Sequence, residues 1–162
     1  MRMLFVTFWS FDNEAADGIA RKIRSEAAAF RALGFAVDLT FVRDGAFWIE
    51  RGGRLERLCK SRKFITRIVA ANALTRYLSR ADAGYGCAYV RYALADMGLL
   101  RLARTLKARG TRVFVEVPTY PYEGEYRQGL LLRASLQLDR LYRSRVFQCV
   151  DRVVVYTSFD EV

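Results

Sequence analysis

Short apolar runs alternate with helical stretches along the chain, and no other feature limits its fold as strongly. Met3 to Trp9 is rich in aromatics and predicts a buried strand. A polar loop from Ser10 to Asp17 leads to Gly18–Leu33, where Ile19, Ile23, Ala27, Phe30 and Leu33 recur at helical spacing and Gly34 is placed to stop the helix. Phe35 to Val42 follows as a second strand, completing a βαβ unit whose crossover is right-handed. Asp44 to Leu55 reads as a hairpin turning at Arg51-Gly52-Gly53-Arg54, and Glu56 to Arg80 as one long helix. Cys87–Tyr92, Arg112–Val117 and Arg152–Tyr156 are three further core strands. Between them lie a helix started by Asp96 and stopped at Gly110, and another from about Gln128 to Val146. This order predicts an α/β fold, a doubly wound three-layer sandwich with helices on both faces of a mainly parallel sheet.

At 162 residues the chain suits a single domain. It stops at Val162, just after a core strand, where such a fold ordinarily runs on into a helix; this reads as a domain fragment. Lys and Arg number 27 against 17 Asp and Glu, giving a formal charge of +10. That excess attracts anionic partners: nucleic acid, an acidic membrane surface or phosphorylated substrates. The three cysteines, Cys59, Cys87 and Cys149, are far apart, and the chain has no histidine, so neither a zinc site nor a disulfide framework is expected. A reduced, cytoplasmic setting follows. The apolar start is too short for a signal peptide, and no stretch of about 18 apolar residues is free of charge. Contact with a membrane is then peripheral, on its inner face.

Ligands of open α/β sheets bind beyond the carboxyl ends of the strands. That edge collects Ser10–Gly18, Arg91–Ala95, Pro118–Glu125 and Thr157-Ser158. Asp17 and Gly18 open the first helix, where exposed N–H groups suit a donor phosphate; Asp17 serves equally as a simple N-cap. The glycine-rich dinucleotide and phosphate-loop motifs are both missing. Arg91 and Tyr92 follow a buried strand, and the guanidinium suits a phosphate or carboxylate of an acceptor, or else a salt bridge to Asp96 or Glu123. Pro118 to Tyr126 is the most unusual segment, with both prolines, three tyrosines and two carboxylates in nine residues. Its prolines stiffen the loop, and its tyrosines offer flat faces for sugar rings or lipid. Thr119, Tyr120, Tyr122 and Glu123 are candidate acceptor-binding residues, and Glu123 or Glu125 a candidate general base. A rigid surface turn that covers the sheet edge is the plainer alternative.

These segments together resemble the N-terminal domain of family 4 (group 1) GT-B glycosyltransferases of bacterial surface-polysaccharide synthesis. The resemblance runs through Gly18-Ile19-Ala20-Arg21-Lys22-Ile23, Leu33-Gly34-Phe35-Ala36-Val37, Ala88–Tyr92, Val115–Tyr122 and Val150–Ser158, with Pro118-Thr119-Tyr120-Pro121-Tyr122 and the following Glu its most specific part. It implies a Rossmann-like acceptor-binding domain of a retaining hexosyltransferase, here without its C-terminal donor-binding domain and so inactive alone. It also implies a nucleotide-sugar donor as substrate, a lipid-linked or saccharide acceptor, and no metal or cofactor. Many such enzymes carry a His after the strand matching Arg112–Val117; this chain has Thr119-Tyr120 there, so no catalytic His carries over. Same-face transfer assisted by the leaving phosphate would leave positioning and electrostatics to the protein.

A basic, non-catalytic α/β module for nucleic acid or anionic membrane is the alternative. The aromatics gather in one loop rather than alternating with arginines, which disfavours nucleic acid. A receiver-like domain lacks its acidic pocket, since Asp12 and Glu14 have no matching Asp after the third core strand.

Overall fold

The computed structural model describes residues 1–13, 17–60, 66–80, 84–118 and 130–155, with the side chains of 66 and 130–132 outside that description. Its elements are β1 (Arg2–Val6), α1 (Gly18–Ala32), β2 (Ala36–Arg43), β3 (Ala46–Arg51), β4 (Arg54–Lys60), α2 (Thr66–Arg80), β5 (Cys87–Arg91), α3 (Met97–Ala108), β6 (Arg112–Val117), α4 (Leu130–Gln148) and β7 (Arg152–Val155). The strands form one sheet in the order β4-β3-β2-β1-β5-β6-β7. β2, β1, β5, β6 and β7 run parallel, while β3 and β4 extend the β2 side as antiparallel hairpins. The α/β, mainly parallel, Rossmann-like architecture is therefore present.

Handedness decides which face each helix takes. From β1 the chain moves outward in one direction to β2, and from β5 in the other direction to β6 and β7. Right-handed crossovers in opposite directions put their helices on opposite faces. Accordingly α1 packs Ala20, Ile23 and Ala27 on Met3, Phe5, Val37, Leu39 and Phe41. On the other face Leu74 and Leu78 of α2, Leu99, Leu102 and Leu106 of α3, and Leu136 and Val146 of α4 join Leu4, Val6, Val90 and Val115. Phe5, Phe41, Phe47, Leu4, Ile23 and Leu74 are among the largest fully buried side chains. Each such burial contributes about 1.5–3 kcal/mol, which makes these two layers the main source of stability.

Two differences from the sequence reading have clear causes. Glu56–Lys60 continues the second strand of the expected hairpin rather than beginning a helix: Arg54–Lys60 pairs with β3 as an edge strand, where exposed charge is tolerated, and the described helix α2 spans Thr66–Arg80. Its register shifts at Phe47/Trp48, a bulge that twists the edge. There are also two tight turns rather than one. Asp44 (φ 50°) with Gly45 (φ 65°) joins β2 to β3, and Gly52 (φ 54°) with Gly53 (φ 78°) joins β3 to β4. Two successive positive φ values make the turn whose twist matches a hairpin, and Asp-Gly is a sequence suited to it. The expected strand Met3–Trp9 leaves the regular sheet after Val6, where Thr7 N–H donates to Thr40 Oγ1 (3.2 Å). No described helix is long and apolar enough to cross a membrane.

Candidate functional site

Strand order reverses between β1 and β5, so the crevice beyond their carboxyl ends is where the topology opens the sheet to a ligand. Two loops border it. The first runs from Thr7 to Asp17 after β1, and the second from Tyr92 to Asp96 after β5.

The β1 loop is tied down along β2. Phe11 N–H donates to the Val42 carbonyl (2.7 Å), Val42 N–H donates to the Trp9 carbonyl (2.9 Å), and the Phe11 ring stacks on Phe41 at 4.8 Å between centroids. Ser10 Oγ donates to Asp12 (2.7 Å), whose other oxygen accepts the Asp44 N–H (2.6 Å); these bonds hold the Asp12 carboxyl below its ordinary range. At the loop's end Asp17 is the N-cap of α1, accepting from Ile19 N–H (2.8 Å) and Ala20 N–H (3.3 Å). Its second oxygen accepts from the indole N–H of Trp9 (2.6 Å), and this bond above all lowers its pKa. Of the two readings open for Asp17, the geometry is that of the cap. A phosphate arriving at α1 meets Ile19 and Ala20 N–H groups already bonded to a carboxylate. Gly18 has ordinary φ, and a Cβ there would touch nothing within 4 Å, so its own surroundings do not demand glycine.

The β5 loop is held more tightly. Leu94, almost fully buried, has φ 95°, a conformation that costs a residue with a Cβ about 1–3 kcal/mol. Two buried carboxylates, Asp96 and Asp139, and the partly exposed Arg67 fix the residues around it. Arg67 of α2 donates through Nη1 to the Ala93 carbonyl (2.6 Å) and through Nε to Asp96 (3.0 Å). Asp96 caps α3 by accepting Leu99 N–H (2.9 Å). Asp139 of α4 accepts Ala95 N–H (2.7 Å) and the Tyr92 hydroxyl, with Arg143 one helical turn on at 3.9 Å.

Of the two readings open for Arg91, an acceptor contact or a salt bridge, its geometry is that of the salt bridge, and Tyr92, a candidate acceptor residue, is buried. Arg91 lies in register with Glu116 and so projects onto the α1 face. There its Nη1 donates to both Glu116 oxygens (3.0 and 3.2 Å) and to Glu26 (3.3 Å), so among the described residues its salt bridge is to these two acids and not to Asp96, while Glu123 lies outside them. Burial pushes the Glu116 carboxyl upward in pKa, and the neighbouring Arg91 opposes that shift. Tyr92 is buried on the opposite face with its hydroxyl on Asp139. Both residues brace the edge rather than line it. Pro118 ends β6 at this same edge; Thr119, Tyr120, Tyr122, Glu123 and Glu125, with Thr157 and Ser158, lie outside the described residues.

Arg67 and Asp139 escaped the sequence reading. Arg67 is one basic residue among many in the long helix expected over Glu56–Arg80. Asp139 carried a legible signal, because it continues the buried spacing Leu136, Asp139, Val146 of α4. A lone acid on an apolar stripe asks for buried donors.

A second concave feature lies between β4 and α2, a crevice of about 370 Å³ lined by Glu56, Arg57, Arg76, Tyr77 and Arg80. Arg76 and Arg80 sit one turn apart on α2, and neither they nor Arg57 form an ion pair among the described residues. Elsewhere arginines are matched: Arg24 and Arg31 to Glu50, Arg67 to Asp96, Arg91 to Glu116. Among the described residues no group of three or more His, Cys, Asp or Glu is placed to hold a metal ion. Comparison of the chain with known protein families, curated proteins and solved structures found no match.

Proposed function

We propose that this chain is the acceptor-binding domain of a retaining glycosyltransferase, presenting a lipid-linked or saccharide acceptor at the carboxyl edge of its sheet to a nucleotide-sugar. The observation that carries this reading is the β5 loop. A buried leucine is held at positive φ by Arg67, Asp96 and Asp139, directly beside the switch point and next to the strand from which the Pro-Tyr-rich segment departs. Such overdetermined strain concentrates at ligand sites, where rigidity keeps reacting groups in line. On this reading the loop is a fixed floor, Tyr120 and Tyr122 stack on the acceptor, and Glu123 or Glu125 receives the proton of its hydroxyl. The donor diphosphate is held mainly by residues outside this domain, since Asp17 occupies the N–H groups of α1.

The test is binding of a short-chain polyprenyl-diphosphate sugar, followed by tryptophan fluorescence. Saturable binding is expected, weakened about tenfold or more by Tyr120→Ala and by Glu123→Gln with no change in melting temperature. Wild-type binding in both variants overturns the acceptor role.

The β4–α2 crevice favours a second reading, a basic module that docks on an anionic membrane. Two arginines one turn apart repel each other unless an anion lies between them. Flotation with phosphatidylglycerol vesicles should then show binding that fades as salt rises, because exposed charges are screened. Equal flotation with neutral vesicles refutes the electrostatic attraction, and preferential retention by duplex DNA points to nucleic acid instead.

A further inference from the structure

The two faces of the sheet are covered unequally. Among the described residues three helices lie on one face and α1 alone on the other. A helix is about 10 Å across and strands lie about 4.8 Å apart, so one helix covers about two strands. The apolar residues that α1 buries come mainly from β1 and β2; from β5 only Cys87 is buried, and the Phe30 ring reaches Tyr89 at 5.3 Å between centroids. Parallel strands are ordinarily buried on both sides. On the α1 side, however, β5 and β6 present Tyr89 and Phe114 only half-buried, beside the buried Cys87.

The exposed ground is concave. A crevice of about 540 Å³ opens between α1 and these strands, lined by Met3, Phe30, Phe35, Tyr89, Phe114 and Arg112. Toward the carboxyl edge the same face is closed by the Arg91–Glu116–Glu26 cluster, so the opening is confined to the amino-terminal half of the strands. Its rim is cationic. Arg112 is in register with Cys87, and Arg152 with Phe114, so both stand on this face, and both are exposed. Neither forms an ion pair among the described residues. The nearby Asp151 bonds Lys107 (2.7 and 2.9 Å) and the Val113 N–H (2.7 Å), and Arg112 adds only a weaker, unbonded attraction to it.

We propose that this crevice is the docking site of an amphipathic α-helix that lies beside α1 with an apolar stripe on Phe30, Tyr89 and Phe114 and carboxylates against Arg112 and Arg152. The shape follows from the width left beside α1, and the apolar floor calls for a stripe rather than a polar loop. The two exposed arginines, neither held in an ion pair among the described residues, set the charge of its flank. They also disfavour a second copy of this chain, because a two-fold contact there would bring each arginine pair near its own mate.

The experiment uses two stapled 14-residue helical peptides with the same leucine stripe, one flanked by glutamates and one by lysines, read by fluorescence anisotropy. The glutamate peptide should saturate the chain and bind about tenfold more tightly than the lysine peptide. Phe114→Glu should weaken it about tenfold, and Arg112→Glu, an exposed change that leaves the core intact, should abolish the preference. Equal affinity of the two peptides, or a preference that survives Arg112→Glu, overturns the proposal. A concentration-dependent dimer in sedimentation that Phe114→Glu abolishes also overturns it, assigning the crevice to a second copy.

Discussion

Leu94 shows how a single residue records a demand made by its surroundings. A leucine at φ 95° is disfavoured by its own Cβ, and the loop keeps it because Ala93 O, Ala95 N–H and Asp96 are all fixed from outside. This has a measurable signature. Leu94→Ala keeps the strain and loses buried side chain, at a cost of roughly 2–4 kcal/mol. Leu94→Gly loses slightly more side chain but recovers about 1–2 kcal/mol by accepting positive φ without a clash. The glycine variant should therefore melt no lower than the alanine variant, reversing the order expected at an ordinary buried position. A glycine variant that melts well below alanine shows the loop to be unstrained. None of this was legible in Ala93-Leu94-Ala95, three apolar residues with no turn signal. For Arg91 the salt-bridge alternative holds, but its partner was hidden for a related reason. Its position after an apolar run marks a strand end, but only the pairing of β5 with β6 reveals that its side chain meets Glu116.

At the scale of elements, α2 and α4 reach the β5 loop from the same side of the sheet and hold it with Arg67 and Asp139. The loop should then behave as part of the core. In hydrogen exchange, the Ala95 and Leu99 amides are expected to exchange as slowly as those of β5. Asp139→Ala leaves Ala95 N–H and the Tyr92 hydroxyl without their acceptor, costing about 2–4 kcal/mol, and should speed exchange from Ala95 to Leu99 well before β2 and β3 respond. Uniform acceleration across the sheet would show that Asp139 supports the whole fold instead. The helices and parallel strands were readable because their signals are local: apolar periodicity, caps at Asp17 and Asp96, and a stop at Gly110. β4 was not, because Arg54-Leu55-Glu56-Arg57-Leu58-Cys59-Lys60 has charge at a spacing that suits an exposed helix face as well as an edge strand. Only the Asp44-Gly45 turn could have corrected it, by assigning β2 and β3 to one hairpin and leaving β4 to close a second.

For the whole molecule, the sheet ends at β4 on one side, with a row of backbone groups that no described strand pairs. Arg54, Arg57 and Lys60 are exposed along that strand, and the bulge at Leu58 between them twists it out of plane. Two copies meeting edge to edge would bring these cations together while trying to share backbone hydrogen bonds. Replacing all three by threonine should let the chain associate at concentrations where the parent stays monomeric in light scattering. If the variant remains monomeric, the bulge alone suffices as the barrier. A strand that contributes little to either apolar layer thus has a role in what the chain avoids. It leaves a newly made polypeptide free to finish its parallel core, the slow part of any such fold, before a neighbour can recruit it into a fibre.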